Sequence, residues 1–118
     1  MTDELFSVQG KRFFVTGGAS GIGRMLTEGL AARGARVFTC GRKQESIREL
    51  LAELRDKRGL DVTAEPADLA QLSEIERIVA RVGEHFGGGL DVLVNNAGAT
   101  WGAKLDEYPE AGWDKVFD

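Results

Sequence analysis

The run Thr16-Gly17-Gly18-Ala19-Ser20-Gly21-Ile22-Gly23 follows a short stretch of β-forming residues and precedes a stretch with helical spacing. A glycine turn in that setting can hold an anion. The first N–H groups of a helix have no acceptor within it, and the helix dipole favours negative charge there. Gly17 would permit a tight turn, Gly21 would let backbone approach a pyrophosphate, and Gly23 would let the helix pack closely. The chemistry implied is the binding of a dinucleotide. The glycines are separated by three residues and then by one, not as in the general GxGxxG fingerprint. A turn alone also accounts for glycine.

Other residues could touch such a ligand. The second apolar run, Arg36 to Cys40, ends at Gly41 and is followed by Arg42 and Lys43. A carboxylate at that place would accept bonds from the ribose hydroxyls and repel a 2′-phosphate. Two cations there favour the phosphate, with Arg42 able to form a bidentate fork. The absent carboxylate and the two cations therefore favour NADP(H) over NAD(H); the alternative is a solvated pair of cations ahead of a helix. Taken singly, Asp68 reads as a turn or capping residue, and Asn95 and Asn96 as turn asparagines. Cys40 reads as a buried strand residue, and His85 as a helix-end residue suited to a cationic or capping role. Trp101 and Trp113 read as core, with a substrate pocket as the alternative.

These residues need a scaffold that brings strand ends together. Strands are predicted at Arg12–Thr16, Arg36–Cys40, Asp61–Glu65 and Leu90–Val94. Helices are predicted between them. The first carries Ile22, Met25, Leu26, Gly29 and Leu30 as its inward stripe and closes at Arg33-Gly34. The second carries Ile47, Leu50, Leu51 and Leu54 and stops at Gly59. The third runs from about Gln71 to Phe86, with Leu72, Ile75, Ile78, Val79, Val82 and Phe86 inward. The βαβαβαβ order implies an α/β fold with a mainly parallel sheet and right-handed crossovers. A net charge of −4 without a long basic run points away from nucleic acid. The acidic start and the lack of a long apolar run point away from a signal peptide or membrane span, leaving a soluble cytoplasmic protein as the default. A single cysteine excludes an intrachain disulfide and a cysteine zinc site.

Together the motifs are specific. Thr16-Gly17 through Gly21-Ile22-Gly23 resembles the cofactor motif of the short-chain dehydrogenase/reductase family, and Asn95-Asn96-Ala97-Gly98 resembles that family's second signature. Asp68-Leu69 matches a third position, where the side chain and the next backbone group hold the adenine. The resemblance runs from Leu5 onward and is nearest to members of 3-oxoacyl reductase type. It implies the N-terminal half of a doubly wound Rossmann fold, residues 1–118 being a dinucleotide-binding domain incomplete at its C-terminus. It also implies hydride transfer between NADP(H) and a carbonyl or secondary alcohol, and a homo-oligomer when complete. The cofactor-binding residues it implies are Gly17, Ser20, Gly21, Ile22, Gly23, Arg42, Asp68, Leu69, Asn95, Ala97 and Gly98. Ser20 departs from the pattern, since many NADP-preferring members carry a basic residue there. The family's catalytic serine and Tyr-x-x-x-Lys pair have no counterpart: the last serine is Ser73, and Tyr108 is followed by Pro109 with Gly112 four residues on. The chain by itself is therefore expected to be inactive, the alternative to an enzyme half being a non-catalytic dinucleotide-binding fragment.

Overall fold

Strand β1 (Arg12–Thr16) runs into helix α1 (Gly21–Ala32), and the alternation repeats through β2 (Arg36–Gly41), α2 (Gln44–Leu50), β3 (Val62–Pro66), α3 (Leu72–Phe86) and β4 (Val92–Val94). The computed structural model describes residues 7–96. The strands are all parallel, in the order β3-β2-β1-β4. The chain starts in the middle of the sheet, winds outward to β3, and then crosses to the far side of β1. That reversal is the switch point at which doubly wound sheets bind ligands, beyond the C-terminal ends of the strands. The expected α/β architecture, the N-terminal half of a Rossmann fold, is the one observed.

Because both faces of the central strands are covered, β1 and β2 are buried in continuous runs, whereas the edge strand β3 alternates. Phe13, Val15 and Val37 pack with Ala31, Ile47, Leu50 and Leu54 on one side. Phe14, Phe38 and Cys40 pack with Ile75, Ile78, Val82 and Phe86 on the other. Arg12 and Asp91 tie the start of β4 to β1: the Arg12 N–H donates to Asp91 Oδ2 at 2.8 Å, and the Asp91 N–H donates to the Arg12 carbonyl at 3.0 Å.

The helix stops fall where glycine allows the left-handed turn. Gly34, Gly59 and Gly87 follow the helical segments with φ of 91°, 69° and 72°. The buried faces differ from expectation. In α1 the buried residues are Gly23, Thr27 and Ala31, while Ile22 and Met25 are 71% and 72% exposed and Leu26 is also exposed. Leu30 packs against the core as expected, but the fully buried positions are small residues, because the helix lies close against the glycine turn. Leu72 is likewise exposed, although the rest of the α3 stripe faces inward. Helix α2 continues as a π-wound segment, Leu51–Lys57, which keeps Leu54 buried after Ile47 and Leu50. His85 does not cap its helix. Its ring packs edge-on against Phe38 and Phe86, at centroid distances of 5.4 and 4.9 Å, with Nε2 buried and lacking a hydrogen-bond partner among the described residues.

Candidate functional site

The C-terminal ends of the strands and the start of α1 enclose a cleft of about 300 Å³, lined among others by Gly17, Ser20, Arg42, Lys43, Leu69 and Asn96. The turn that forms one wall depends on glycine at two places. Gly17 and Gly21 have φ of 65° and 57°, a region L side chains rarely adopt. Among the described residues no atom crowds Gly21, so its backbone is open to an approaching group. Gly23 serves close packing: a Cβ there would lie 2.5 Å from Asn96 Nδ2 and still closer to the Gly17 carbonyl. Its neighbours are therefore the turn and the exit from β4, rather than the strand itself.

Ser20 is the N-cap of α1 in an extended conformation, yet its side chain makes no capping bond, and the first turn holds no acidic residue. The helix therefore presents its first N–H groups and the positive end of its dipole without an internal anion. Arg42, exposed at the end of β2, lines the same cleft. An anion between them would meet backbone donors, a hydroxyl and a guanidinium, a donor set suited to phosphate.

Thr16 joins the two signatures. Its hydroxyl lies 3.2 Å from Asn95 Oδ1 and 3.4 Å from the Val94 carbonyl as a donor, and accepts the Asn96 N–H at 2.8 Å. The ends of β1 and β4 are thereby held together beside the first turn of α1. Cys40 lines the cleft floor with no exposed surface; burial pushes its thiol up to about 11, outweighing a bond to the Gly17 backbone and the field of Arg77. A neutral thiol is no nucleophile at ordinary pH.

Gly17, Ser20, Arg42 and Leu69 thus meet in one cleft. Asp68 opens instead onto an adjoining depression of about 540 Å³ that shares Arg42 and Ala67 with it. Its carboxylate accepts the Ala70 N–H at 3.1 Å and faces Gln71 Nε2 at 3.4 Å, as a turn residue does. Asn95 sits at the Thr16 junction, and Gly21, Ile22 and Gly23 form the first turn of α1. Ala97, Gly98, Trp101, Tyr108 and Trp113 lie outside the described residues. Sequence reasoning missed Gly18, where a Cβ would lie 2.6 Å from Thr27 Oγ1, and missed the roles of Thr16 and Asn96. For Thr16 the signal was a hydroxyl at the last position of a buried strand.

Comparison with known proteins gives the family. The short chain dehydrogenase family pattern matches residues 11–118. The chain belongs to the short-chain dehydrogenase family. It is 44% identical over 112 residues to a rhamnolipids biosynthesis 3-oxoacyl-[acyl-carrier-protein] reductase of Pseudomonas aeruginosa, covering 95% of this chain and 43% of that protein. Among solved structures it is similar to the Pseudomonas aeruginosa RhlG/NADP active-site complex, at 43% identity and a TM-score of 0.73, covering 98% of this chain and 44% of that one. It is also similar to an actinorhodin polyketide ketoreductase variant with NADPH, at 39% identity and a TM-score of 0.71, covering 91% and 40%. The chain thus spans less than half the length of these relatives. Among the described residues no helix is long and apolar enough to cross a membrane.

Proposed function

We propose that this chain binds NADP(H) in the cleft between α1 and Arg42, as the cofactor-binding domain of a reductase acting on a carbonyl or secondary alcohol. The observation that carries the reading is the uncapped, acid-free start of α1 facing the same cleft as Arg42. Gly17, Gly21, Ile22 and Gly23 would present backbone to the pyrophosphate. Ser20 and Arg42 would hold the 2′-phosphate, where Gly41 supplies no carboxylate to repel it. Asp68 and Leu69 would receive the adenine, and Asn95, Ala97 and Gly98 would border the nicotinamide side. Bound NADPH supplies a hydride from C4 of the nicotinamide. Similarity to a 3-oxoacyl reductase makes 3-oxoacyl thioesters the first substrates to try.

The test is a fluorescence titration of the 118-residue chain with NADPH and with NADH. NADPH is expected to bind more tightly. Arg42→Leu is expected to weaken NADPH about 10- to 100-fold, the worth of hydrogen bonds to a charged group, and to leave NADH unchanged. Equal affinity for both cofactors would remove the NADP preference. Binding of neither would remove the dinucleotide reading. Binding without oxidation of NADPH by a 3-oxoacyl thioester is the expected behaviour of a chain lacking the Tyr-x-x-x-Lys pair.

A further inference from the structure

Between β3 and α3 the chain bends at Pro66, Ala67 and Asp68, and this bend carries Leu69 into the cleft. Two side chains of α3 reach back to it. Arg77 Nη2 donates to the Pro66 carbonyl at 2.5 Å, and Glu74 Oε1 accepts the Asp68 N–H at 3.4 Å. The same two side chains grip each other in a fork, Arg77 Nε to Glu74 Oε2 at 3.0 Å and Nη2 to Oε1 at 3.2 Å. Arg77 also stands 3.7 Å from Glu65 Oε1, at the end of β3. One ion pair therefore holds a carbonyl on one side of Ala67 and an N–H on the other.

We infer that Arg77 and Glu74 are positioning residues: they clamp the 66–68 bend so that Asp68 and the Leu69 backbone stand where the adenosine end of the cofactor is received. The inference rests on the dinucleotide reading above and adds to it the device that fixes one of its walls. The geometry separates this pair from its neighbour. Arg81 makes ion pairs of the same kind, with Glu65 at 2.8 Å and Glu84 at 2.7 Å, but no bond to the bend. A guanidinium fork constrains orientation as well as distance, which a single point charge does not.

The probe is 2′,5′-ADP, which carries the adenosine and 2′-phosphate without the nicotinamide, titrated beside NADPH against the full chain. Arg77→Leu is expected to raise the dissociation constants of both ligands by the same factor, about 3- to 10-fold, the worth of one or two net hydrogen bonds. Arg77→Lys, which keeps the charge and loses the fork, is expected to fall between wild type and Arg77→Leu. Arg81→Leu is expected to leave both affinities unchanged. Amide hydrogen exchange without ligand is expected to quicken at Asp68 in Arg77→Leu and not in Arg81→Leu. Unchanged 2′,5′-ADP affinity in Arg77→Leu, with the wild type binding normally, overturns the clamp alone. So does an equal loss in Arg81→Leu, which would make the effect one of general charge. A wild-type chain that binds neither ligand overturns the dinucleotide reading, and the clamp's role with it.

Discussion

Cys40 sits at the end of β2 with its thiol sealed between the cleft floor and α3. Burial raises it from an ordinary value near 9.0 to about 11. A group whose folded value is raised stabilises the fold fully below the unfolded value and loses that contribution as pH climbs through the folded one. Below about pH 9 both states keep the proton; between 9 and 11 the unfolded chain gives it up first, so stability falls. The loss across that window is expected to reach about 2–3 kcal/mol. The check is urea unfolding of wild type and Cys40→Ala from pH 8 upward: the difference between them should narrow with pH, and a constant difference would refute the burial argument. The thiol should also resist alkylation until the chain unfolds. At this scale the sequence was readable where a residue's type decides its role, as with Cys40 in an apolar run or Arg42 beyond a strand end. It was unreadable where the role depends on a distant partner. Thr16 finds Asn96 eighty positions away, and His85 finds Phe38 on a strand remote from it in sequence.

Helix α1 shows how an element can be placed correctly and its face misread. Its start, its end and the turn before it follow from glycine and from helical spacing. The apolar periodicity selects Ile22, Met25, Leu26, Gly29 and Leu30; Leu30 does pack against the core, but Ile22, Met25 and Leu26 face out and the fully buried positions are Gly23, Thr27 and Ala31. Periodicity reads which residues avoid water, and it assumes that the core lies at ordinary distance. Here the helix is drawn in close by Gly18 and Gly23, so only small side chains fit beneath it. Gly18 is the sharper case. A Cβ there would lie 2.6 Å from Thr27 Oγ1 and 2.9 Å from Thr39 Cβ, and Thr39 is itself held by a 2.5 Å bond to the Val15 carbonyl. Neither threonine can yield without lifting α1 or breaking that bond. Gly18→Ala is therefore expected to cost about 1–3 kcal/mol, as overpacking does. The same change at Gly83 in α3, where a Cβ meets nothing within 4 Å, is expected to stabilise by up to about 1 kcal/mol through helix propensity. Thermal unfolding of the two variants would show opposite signs; a tolerated Gly18→Ala would mean that α1 is free to move outward.

At the scale of the whole molecule the described sheet has an edge strand at each end, β3 and β4. Among the described residues β3 pairs only with β2 and carries Glu65 and ends at Pro66, whereas β4 pairs only with β1 and is wholly apolar. Val92, Leu93 and Val94 are each half-buried, and the outer row of backbone donors and acceptors on β4 has no strand beside it among those residues. On α1, Ile22, Met25 and Leu26 add exposed apolar surface. An open, uncharged strand edge is a template for another strand, and apolar side chains nearby deepen the gain from covering it. A second copy of the chain offers both features at once. The 118-residue polypeptide is accordingly expected to self-associate, with a sedimentation coefficient that rises with concentration. Met25→Lys removes apolar surface from a side chain already 72% exposed, so it should leave the fold intact while shifting the equilibrium toward monomer. Sedimentation velocity over a hundredfold dilution, with circular dichroism as the check on folding, decides the matter. A wild-type chain that stays monomeric throughout would show that the β4 edge and the α1 flank are covered within the chain itself. A variant that associates as strongly as wild type would assign the contact to the strand edge alone.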